Sequence, residues 1–252
     1  MLSTRCLLAM LTTLGLVASI NALAAAQDPA TAPSSITPVP RDNPGAIARQ
    51  DECIRRVRES EPTRVLFVGD SITQSWEGPG REVWKESIAP LGALNLGNSG
   101  DRTEHVLWRL QQAPLTKLKP EHVVLLIGTN NLGHGTSTAA ETFDGIRAVI
   151  MMLQAQCPDA TIHIIETFPR GEAMNPMRGD ICQINQALGR WVAASNDRFK
   201  ESGKGRPLVV HDFGDAFVME DGRIPKDLMP DFLHLTPAAY AMWAEAIVPA
   251  LK

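Results

Sequence analysis

Short apolar runs that alternate with helical patterns constrain the fold of this chain most strongly. Residues 65–68 are continuously apolar and β-prone, which predicts a strand buried on both faces of a sheet. Similar runs follow at residues 93–96, 123–127, 161–165 and 208–210, with helical spacing between them. This alternation is typical of a parallel sheet covered by helices on both faces. We therefore predict an α/β fold: a three-layer α/β/α sandwich around a five-stranded parallel sheet.

Several helix starts can be identified from local signals. Thr138 and Glu141 form a capping-box pattern, in which each side chain satisfies a backbone N–H of the other. The dipeptides Asn-Pro at 175–176 and Thr-Pro at 236–237 combine a capping side chain with proline at the first helical position. Residues 46–58 have the apolar spacing of a short amphipathic helix.

The first 24 residues have the pattern of an export signal. Arg5 is the only charge before a mostly apolar run at 6–20, and small residues follow at 22–24, where a signal peptidase cuts. A membrane anchor is the alternative, but the run is shorter than the roughly 20 residues that span a bilayer. We expect cleavage, and a secreted or periplasmic protein with no stable membrane span. Proline-rich residues 25–45 are expected to be a flexible segment, and residues 46–252 the folded domain.

The charge and the cysteine content of the chain limit which partners and cofactors are expected. With 24 Lys and Arg against 28 Asp and Glu, the chain has no global field that would attract nucleic acid. Cys53, Cys157 and Cys182 follow the predicted signal. A disulfide between Cys157 and Cys182 is one interpretation, and buried unpaired thiols are the other. No CxxC or Cys/His spacing indicates a metal site, so no metal and no cofactor is expected.

Polar residues follow the first three predicted strands, at the sheet edge where open α/β proteins bind ligands. The sequence Gly-Asp-Ser-Ile at 69–72 places Ser71 at a strand-to-helix turn, where its hydroxyl reaches the edge. Gly100 follows the second strand and Asn130 the third, and both can donate a hydrogen bond toward the same space. Taken separately, each of these sequences is also compatible with an ordinary turn.

Asp231 and His234 lie three residues apart, just before the last predicted helix. At this offset a carboxylate can hold the imidazole Nδ1–H, which leaves Nε2 free to act as a base. A surface acid and a capping histidine are the alternative. The pair His211 and Asp212 is less suitable, because neighbours on a strand point to opposite faces.

Taken together and in this order, the sequences around Ser71, Gly100, Asn130 and His234 resemble the SGNH (GDSL) hydrolases. The resemblance extends from about residue 63 to the C-terminus and is closest to the catalytic subunits of platelet-activating-factor acetylhydrolase and their bacterial relatives. The segments that resemble this subgroup are 95–101, 105–110, 128–134 and 169–171. Asn131 stands where many members of the wider family carry Asp, a difference that the subgroup shares.

The resemblance implies a flavodoxin-like fold and a serine esterase that hydrolyses short-chain, acetyl-type esters through an acyl-serine. Ser71 would be the nucleophile, His234 the general base and Asp231 the residue that orients it. The oxyanion hole would consist of the N–H groups of Ser71 and Gly100 and the side-chain amide of Asn130.

The residues beside these positions, Ile72, Thr129 and Leu233, are candidate walls of a small acyl pocket. The expected partner is a small ester, such as an acetylated saccharide or lipid, and the sequence leaves a homodimer open. A non-catalytic carbohydrate- or lipid-binding protein on the same fold and an acyltransferase are the alternatives. A nucleotide-binding protein is disfavoured, because neither GxGxxG nor GxxxxGK[ST] occurs.

Overall fold

A parallel five-stranded sheet forms the centre of the computed structural model, which describes residues 34–203 and 206–252. The strand order is β2-β1-β3-β4-β5. The strands are β1 (Val65–Gly69), β2 (Ala93–Gly97), β3 (His122–Leu126), β4 (Thr161–Ile165) and β5 (Leu208–His211). The predicted α/β class and parallel sheet are confirmed, and every strand lies within one residue of its predicted bounds.

The helices begin largely where the capping signals predict. Thr138 and Glu141 form the expected capping box, and the side chains of Asn175 and Thr236 cap the helices that follow them. The α-helices are α1 (Pro44–Glu59), α2 (Ser71–Gln74), α3 (Arg81–Val83), α4 (Thr103–Gln112), α5 (Thr129–Gly133), α6 (Ala139–Gln156), α7 (Pro176–Ser202) and α8 (Pro237–Ile247). Short 3₁₀ turns cover Ser34–Ile36, Ser75–Glu77, Ala89–Leu91, Leu115–Lys117, Gly214–Phe217 and Val248–Leu251, and a π-helical turn covers Trp84–Ile88.

Two apolar clusters lie on opposite faces of the sheet. Each joins the sheet to the helices on that face, so the fold has three layers. Leu66 and Val68 of β1 belong to one cluster, which contains residues of α1, α4, α6 and α7. The alternate residues Val65 and Phe67 belong to the other cluster, together with α8. Successive side chains of a strand point to opposite faces, so a strand covered on both sides must be apolar throughout. The continuous apolar run that identified β1 therefore reflects this double covering.

The parallel register brings the carboxyl ends of the three central strands to one edge. Gly69 at the end of β1 pairs with Gly97 of β2 and Leu126 of β3. A Cβ at Gly69 would lie 2.3 Å from the carbonyl oxygen of Leu126, and one at Gly97 would lie 2.3 Å from the backbone nitrogen of Gln74. Glycine at both positions lets α2 start directly at the sheet edge.

The described part of the predicted flexible segment differs from that expectation. Ser35 is fully buried, and its hydroxyl donates to the carbonyl of Glu141 at 2.7 Å. From residue 34 to 45, therefore, the prediction of a flexible segment is wrong, because hydrogen bonds to α4 and α6 hold this part of the chain. The predicted export signal lies outside the described residues.

The cysteines of the described residues are all free thiols. Cys53 and Cys157 are buried, whereas Cys182 is exposed on α7, so the candidate disulfide between Cys157 and Cys182 does not form. Within residues 34–203 and 206–252, no helix combines the length and apolarity needed to cross a bilayer.

Candidate active site

Ser71 is the first residue of α2 and lies at the carboxyl edge of the sheet. Asp70 caps the helix, because its Oδ1 atom accepts the backbone N–H of Ile72 at 3.0 Å. Asp70 is fully buried, and Ser71 is 7% exposed. The sharp turn from β1 into α2 thus presents a hydroxyl that is shielded by protein yet still reachable from solvent.

Asp231 and His234 are joined by a compact turn. Asp231 Oδ1 accepts the backbone N–H groups of Leu233 at 3.1 Å and His234 at 2.8 Å, while Oδ2 lies 2.6 Å from His234 Nδ1. Phe232 between them has a φ of 59°, a left-handed conformation that is strained for a side chain of this size. This bend lets a carboxylate and an imidazole three residues apart meet side to side.

The charge state of Asp231 follows from these contacts. Partial burial opposes the ionised form, but hydrogen bonds from the side chain and backbone of His234 outweigh it and lower the pKa of Asp231 below its ordinary value. An ionised Asp231 accepts a hydrogen bond from the Nδ1–H of His234, which leaves Nε2 as the basic nitrogen. That Nε2 atom lies 2.9 Å from Ser71 Oγ. The structure therefore brings Ser71, His234 and Asp231 into one hydrogen-bonded chain.

Gly100 and Asn130 are also brought together, through Asp101. The side-chain amide of Asn130 donates to the carbonyl oxygen of Asp101 at 2.9 Å, which fixes the orientation of this amide. An amide nitrogen carries two hydrogens, so one is left for another acceptor. Gly100 has a φ of 75° and Gly128, before α5, a φ of 123°, both in the region that favours glycine. These turns lie in the loops after β2 and β3, at the same carboxyl edge of the sheet as Ser71.

A buried charge cluster supports the loop after β2 and was missed by the sequence analysis. The Asp101 side chain is completely buried, and its Oδ2 atom accepts from Nε of Arg109 at 2.9 Å. Arg41 approaches Oδ1 from the other side at 3.4 Å. Both Asp101 and Arg109 lie in segments that resemble the acetylhydrolase subgroup, and the charge of Arg109 among the apolar residues at 106–110 was the available signal.

Arg170, also missed, supports the loop after β3. Its guanidinium donates to both the carbonyl oxygen and the hydroxyl of Thr129, each at 3.1 Å. Since Thr129 precedes Asn130, this contact ties the position of the Asn130 amide to the loop after β4.

The three predicted pocket walls have different surroundings. Ile72 is 1% exposed and packs in the apolar cluster with α8, while its carbonyl accepts the hydroxyl of Tyr240 at 2.6 Å. The prediction that Ile72 lines an accessible pocket is therefore wrong, because the first turn of α2 directs this side chain into the core. Thr129 is nearly buried beneath Arg170, and Leu233 is half-buried beside His234.

Two other features lie apart from Ser71. A cavity of about 480 Å³ opens at the ends of β4 and β5, and its polar lining includes Glu166, Asp212 and Asp215. His211 contacts His163 at 2.9 Å and forms no hydrogen bond with Asp212 within the described residues. Among those residues, no group of three or more His, Cys, Asp or Glu side chains is placed to hold a metal ion.

Comparison with known proteins agrees with this arrangement. Residues 67–242 match the GDSL-like lipase/acylhydrolase family. The chain belongs to this family. It is 38% identical over 196 residues to platelet-activating factor acetylhydrolase IB subunit alpha2 of Gallus gallus, covering 77% of this chain and 78% of that protein. It is 33% identical over 222 residues to the alpha1 subunit of Homo sapiens, covering 88% of each.

Solved structures share the fold. A GDSL-like lipase from Bacteroides thetaiotaomicron superposes with a TM-score of 0.58 at 21% identity, covering 81% of this chain and 96% of that one. The acetyl xylan esterase AlAXEase superposes with a TM-score of 0.58 at 24% identity, covering 75% and 100%. The family membership establishes the protein as a carboxylic ester hydrolase of the GDSL/SGNH type.

Proposed function

We propose that this GDSL-family hydrolase cleaves short-chain, acetyl-type esters through an acyl-serine on Ser71. The observation that carries the proposal is the continuous chain Ser71 Oγ, His234 and Asp231, with separations of 2.9 and 2.6 Å. A hydroxyl in contact with a basic imidazole nitrogen, itself held by a carboxylate, is the arrangement that activates serine as a nucleophile.

In the first half of the reaction, Ser71 Oγ attacks the carbonyl carbon while its proton passes to Nε2 of His234. The oxyanion that forms accepts hydrogen bonds from the N–H groups of Ser71 and Gly100 and from the free amide hydrogen of Asn130. The intermediate collapses, the bond to the alcohol breaks, and His234 returns the proton to the leaving oxygen.

In the second half, water attacks the acyl-serine. His234 takes a proton from the water, and the second tetrahedral intermediate uses the same oxyanion donors. Collapse releases the carboxylic acid and returns the proton to Ser71 Oγ, so the enzyme ends as it began.

The preference for a short acyl group has two supports. The relatives that share 33–38% of the sequence are named acetylhydrolases. Around Ser71, moreover, the adjacent side chains are packed: Ile72 fills the core and Thr129 is held under Arg170. The cavity of about 480 Å³ at the ends of β4 and β5 does not include Ser71. These surroundings favour an acetyl group over a long acyl chain.

A series of nitrophenyl esters tests this proposal. We expect kcat/KM to be highest for the acetate and to fall with the octanoate, and we expect Ser71→Ala to abolish hydrolysis while its circular dichroism spectrum stays unchanged. Faster cleavage of the octanoate would contradict the acyl preference. Full activity in Ser71→Ala would contradict the nucleophile. Adding a soluble alcohol and measuring its acetylation separates a hydrolase from an acyltransferase.

The class of natural ester is addressed by a second assay. Export of the chain, which the pattern of residues 1–24 supports, would expose it to acetylated sugars and lipids outside the cytoplasm. Acetate release from acetylated saccharides and from acetyl phospholipids, measured side by side, distinguishes the two. N-terminal sequencing of protein recovered outside the cytoplasm should give a chain that starts near residue 25; an intact Met1 in the cytoplasmic fraction would contradict export.

A further inference from the structure

Residues 34–43, which we call the N-terminal strap, cross the surface of the domain next to the site. The carbonyl of Ser35 accepts the hydroxyl of Thr103, the first residue of α4, at 2.8 Å. The backbone N–H of Val39 donates to the carbonyl of Glu104 at 3.3 Å. The strap precedes the matched residues 67–242, so the family comparison assigns it no role.

The strap places Arg41 against the loop after β2. Its backbone N–H donates to Gln50 Oε1 at 3.0 Å, and its side chain is only 9% exposed. A Cβ atom at Gly100 would lie 3.0 Å from Nη2 and 3.2 Å from Nη1 of Arg41. The guanidinium therefore covers the side of Gly100 on which any other residue would carry a side chain.

Arg41 also completes the support of Asp101. The Oδ2 atom of this carboxylate is held by Arg109, and Oδ1 has Arg41 as its hydrogen-bond partner in the described residues. Without Arg41, Oδ1 would be buried and unpaired, a state that shifts or neutralises a carboxylate. A movement of Asp101 would displace both donors. Gly100 precedes Asp101 in the chain, and the carbonyl oxygen of Asp101 orients the side-chain amide of Asn130.

Arg41 thus acts on two of the donors at once. We infer that Arg41 is a positioning residue for the oxyanion hole: it holds Gly100 and Asp101 so that the Gly100 N–H and the Asn130 amide point at the same oxygen. The N-terminal strap is in this way part of the catalytic unit. This inference rests on the proposed function of Ser71, Gly100 and Asn130.

The test is Arg41→Met in the full chain, assayed with nitrophenyl acetate. We expect kcat to fall about 10- to 100-fold, because small displacements of catalytic donors have effects of that size, with KM changed by less than about twofold. The fall should appear in kcat because the donors contact the transition state more strongly than the substrate. A merely structural contact would change the melting temperature and leave the kcat of the folded enzyme unaltered.

The matched control is Arg55→Met on α1. Arg55 is exposed and pairs with Glu52 and Glu59 of the same helix, so its replacement should leave kcat and KM unchanged. If Arg41→Met does not fold, Arg41→Gln is the second variant: its side chain is too short to make the Nη contacts with Gly100 and Asp101, so it is expected to show the same fall in kcat. A kcat within about twofold of the parent in either folded variant, or a loss confined to KM, would overturn the inference.

Ser71→Ala measured in parallel separates the two proposals. Loss of activity in Ser71→Ala together with an unaltered kcat in Arg41→Met would overturn the role of Arg41 alone. Retained activity in Ser71→Ala would instead overturn the proposed function.

Discussion

The Oγ atom of Ser71 lies 2.9 Å from Nε2 of His234, although 163 residues separate them in the chain. The parallel sheet brings Ser71 to its carboxyl edge, and the loop that precedes α8 returns to the same edge. The short turn at Asp231 then orients the imidazole toward the hydroxyl.

Replacing Asp231 with Asn tests the orientation of His234. Asn keeps an Oδ1 atom for the N–H groups of Leu233 and His234, so the turn should persist. The side-chain amide of this Asn, however, donates a hydrogen bond to Nδ1 of His234. This favours the tautomer with the proton on Nε2, which cannot act as the base. We expect kcat to fall on the order of 10³- to 10⁴-fold with little change in KM. Asp227→Asn, on the exposed surface of the same loop, is the control and should retain full activity.

Replacing Asn130 with Ala tests the oxyanion donor. The amide has one hydrogen bonded to the Asp101 carbonyl and one available, and Ala supplies neither. We expect kcat to fall about 10²- to 10³-fold, since one such donor stabilises the transition state by roughly 2.7–4 kcal/mol. Steady-state kinetics with nitrophenyl acetate gives both constants. A change in KM with unchanged kcat would show that Asn130 binds substrate rather than the oxyanion.

The buried carboxyl group of Asp70 should make the stability of the protein depend on pH. Burial raises the pKa of Asp70 to about 7. Because this value lies above the ordinary one, the protonated form is favoured in the folded state. The stability that the protonated carboxyl contributes to the folded state is fully present below about pH 4 and is lost as the pH rises through 7.

The variant Asp70→Asn should remove this dependence, since Asn can still cap α2 through Oδ1. The free energy of unfolding of Asp70→Asn minus that of the parent should increase from pH 4 to pH 8, by roughly a few kcal/mol. Urea denaturation at the two pH values measures the difference. An equal free-energy gap at both would mean that Asp70 does not titrate in this range.

Two glycine substitutions test the packing at the sheet edge. A Cβ at Gly69 would lie 2.2 Å from Thr73 Oγ1, so Gly69→Ala must displace α2 and should lower the melting temperature and the activity together. Gly189 lies within α7 with no atom within 4 Å of an added Cβ. Gly189→Ala should therefore stabilise the protein by about 0.5–1 kcal/mol without affecting kcat. A Gly69→Ala variant as stable as the parent would contradict the described edge.

Local patterns were sufficient for the sheet and for the pairing of Asp231 with His234. The strands were identified because a doubly covered strand has to be apolar throughout, and the helix starts because caps depend on residues three apart. Asp231 and His234 could be paired for the same reason: three residues in one turn define their geometry almost completely.

Long-range contacts explain what the sequence could not predict. Proline and small residues at 34–45 suggested a flexible segment, yet Ser35 is held by Glu141, 106 residues away. Arg41 reaches Asp101 across 60 residues, and no local spacing marks that pair. Ile72 was misplaced because its surroundings depend on where α8 packs, which sequence spacing near Ser71 does not specify.

The central claim is that Ser71 is the nucleophile, and covalent labelling tests it most directly. The protein is treated with a fluorophosphonate, digested with trypsin, and the peptide spanning residues 65–81 is fragmented in a mass spectrometer. We predict one adduct per chain, on Ser71 and not on Ser75 of the same peptide, with parallel loss of esterase activity. Hydrolysis that persists with Ser71 unlabelled, or complete inactivation with the adduct on another residue, would contradict the account.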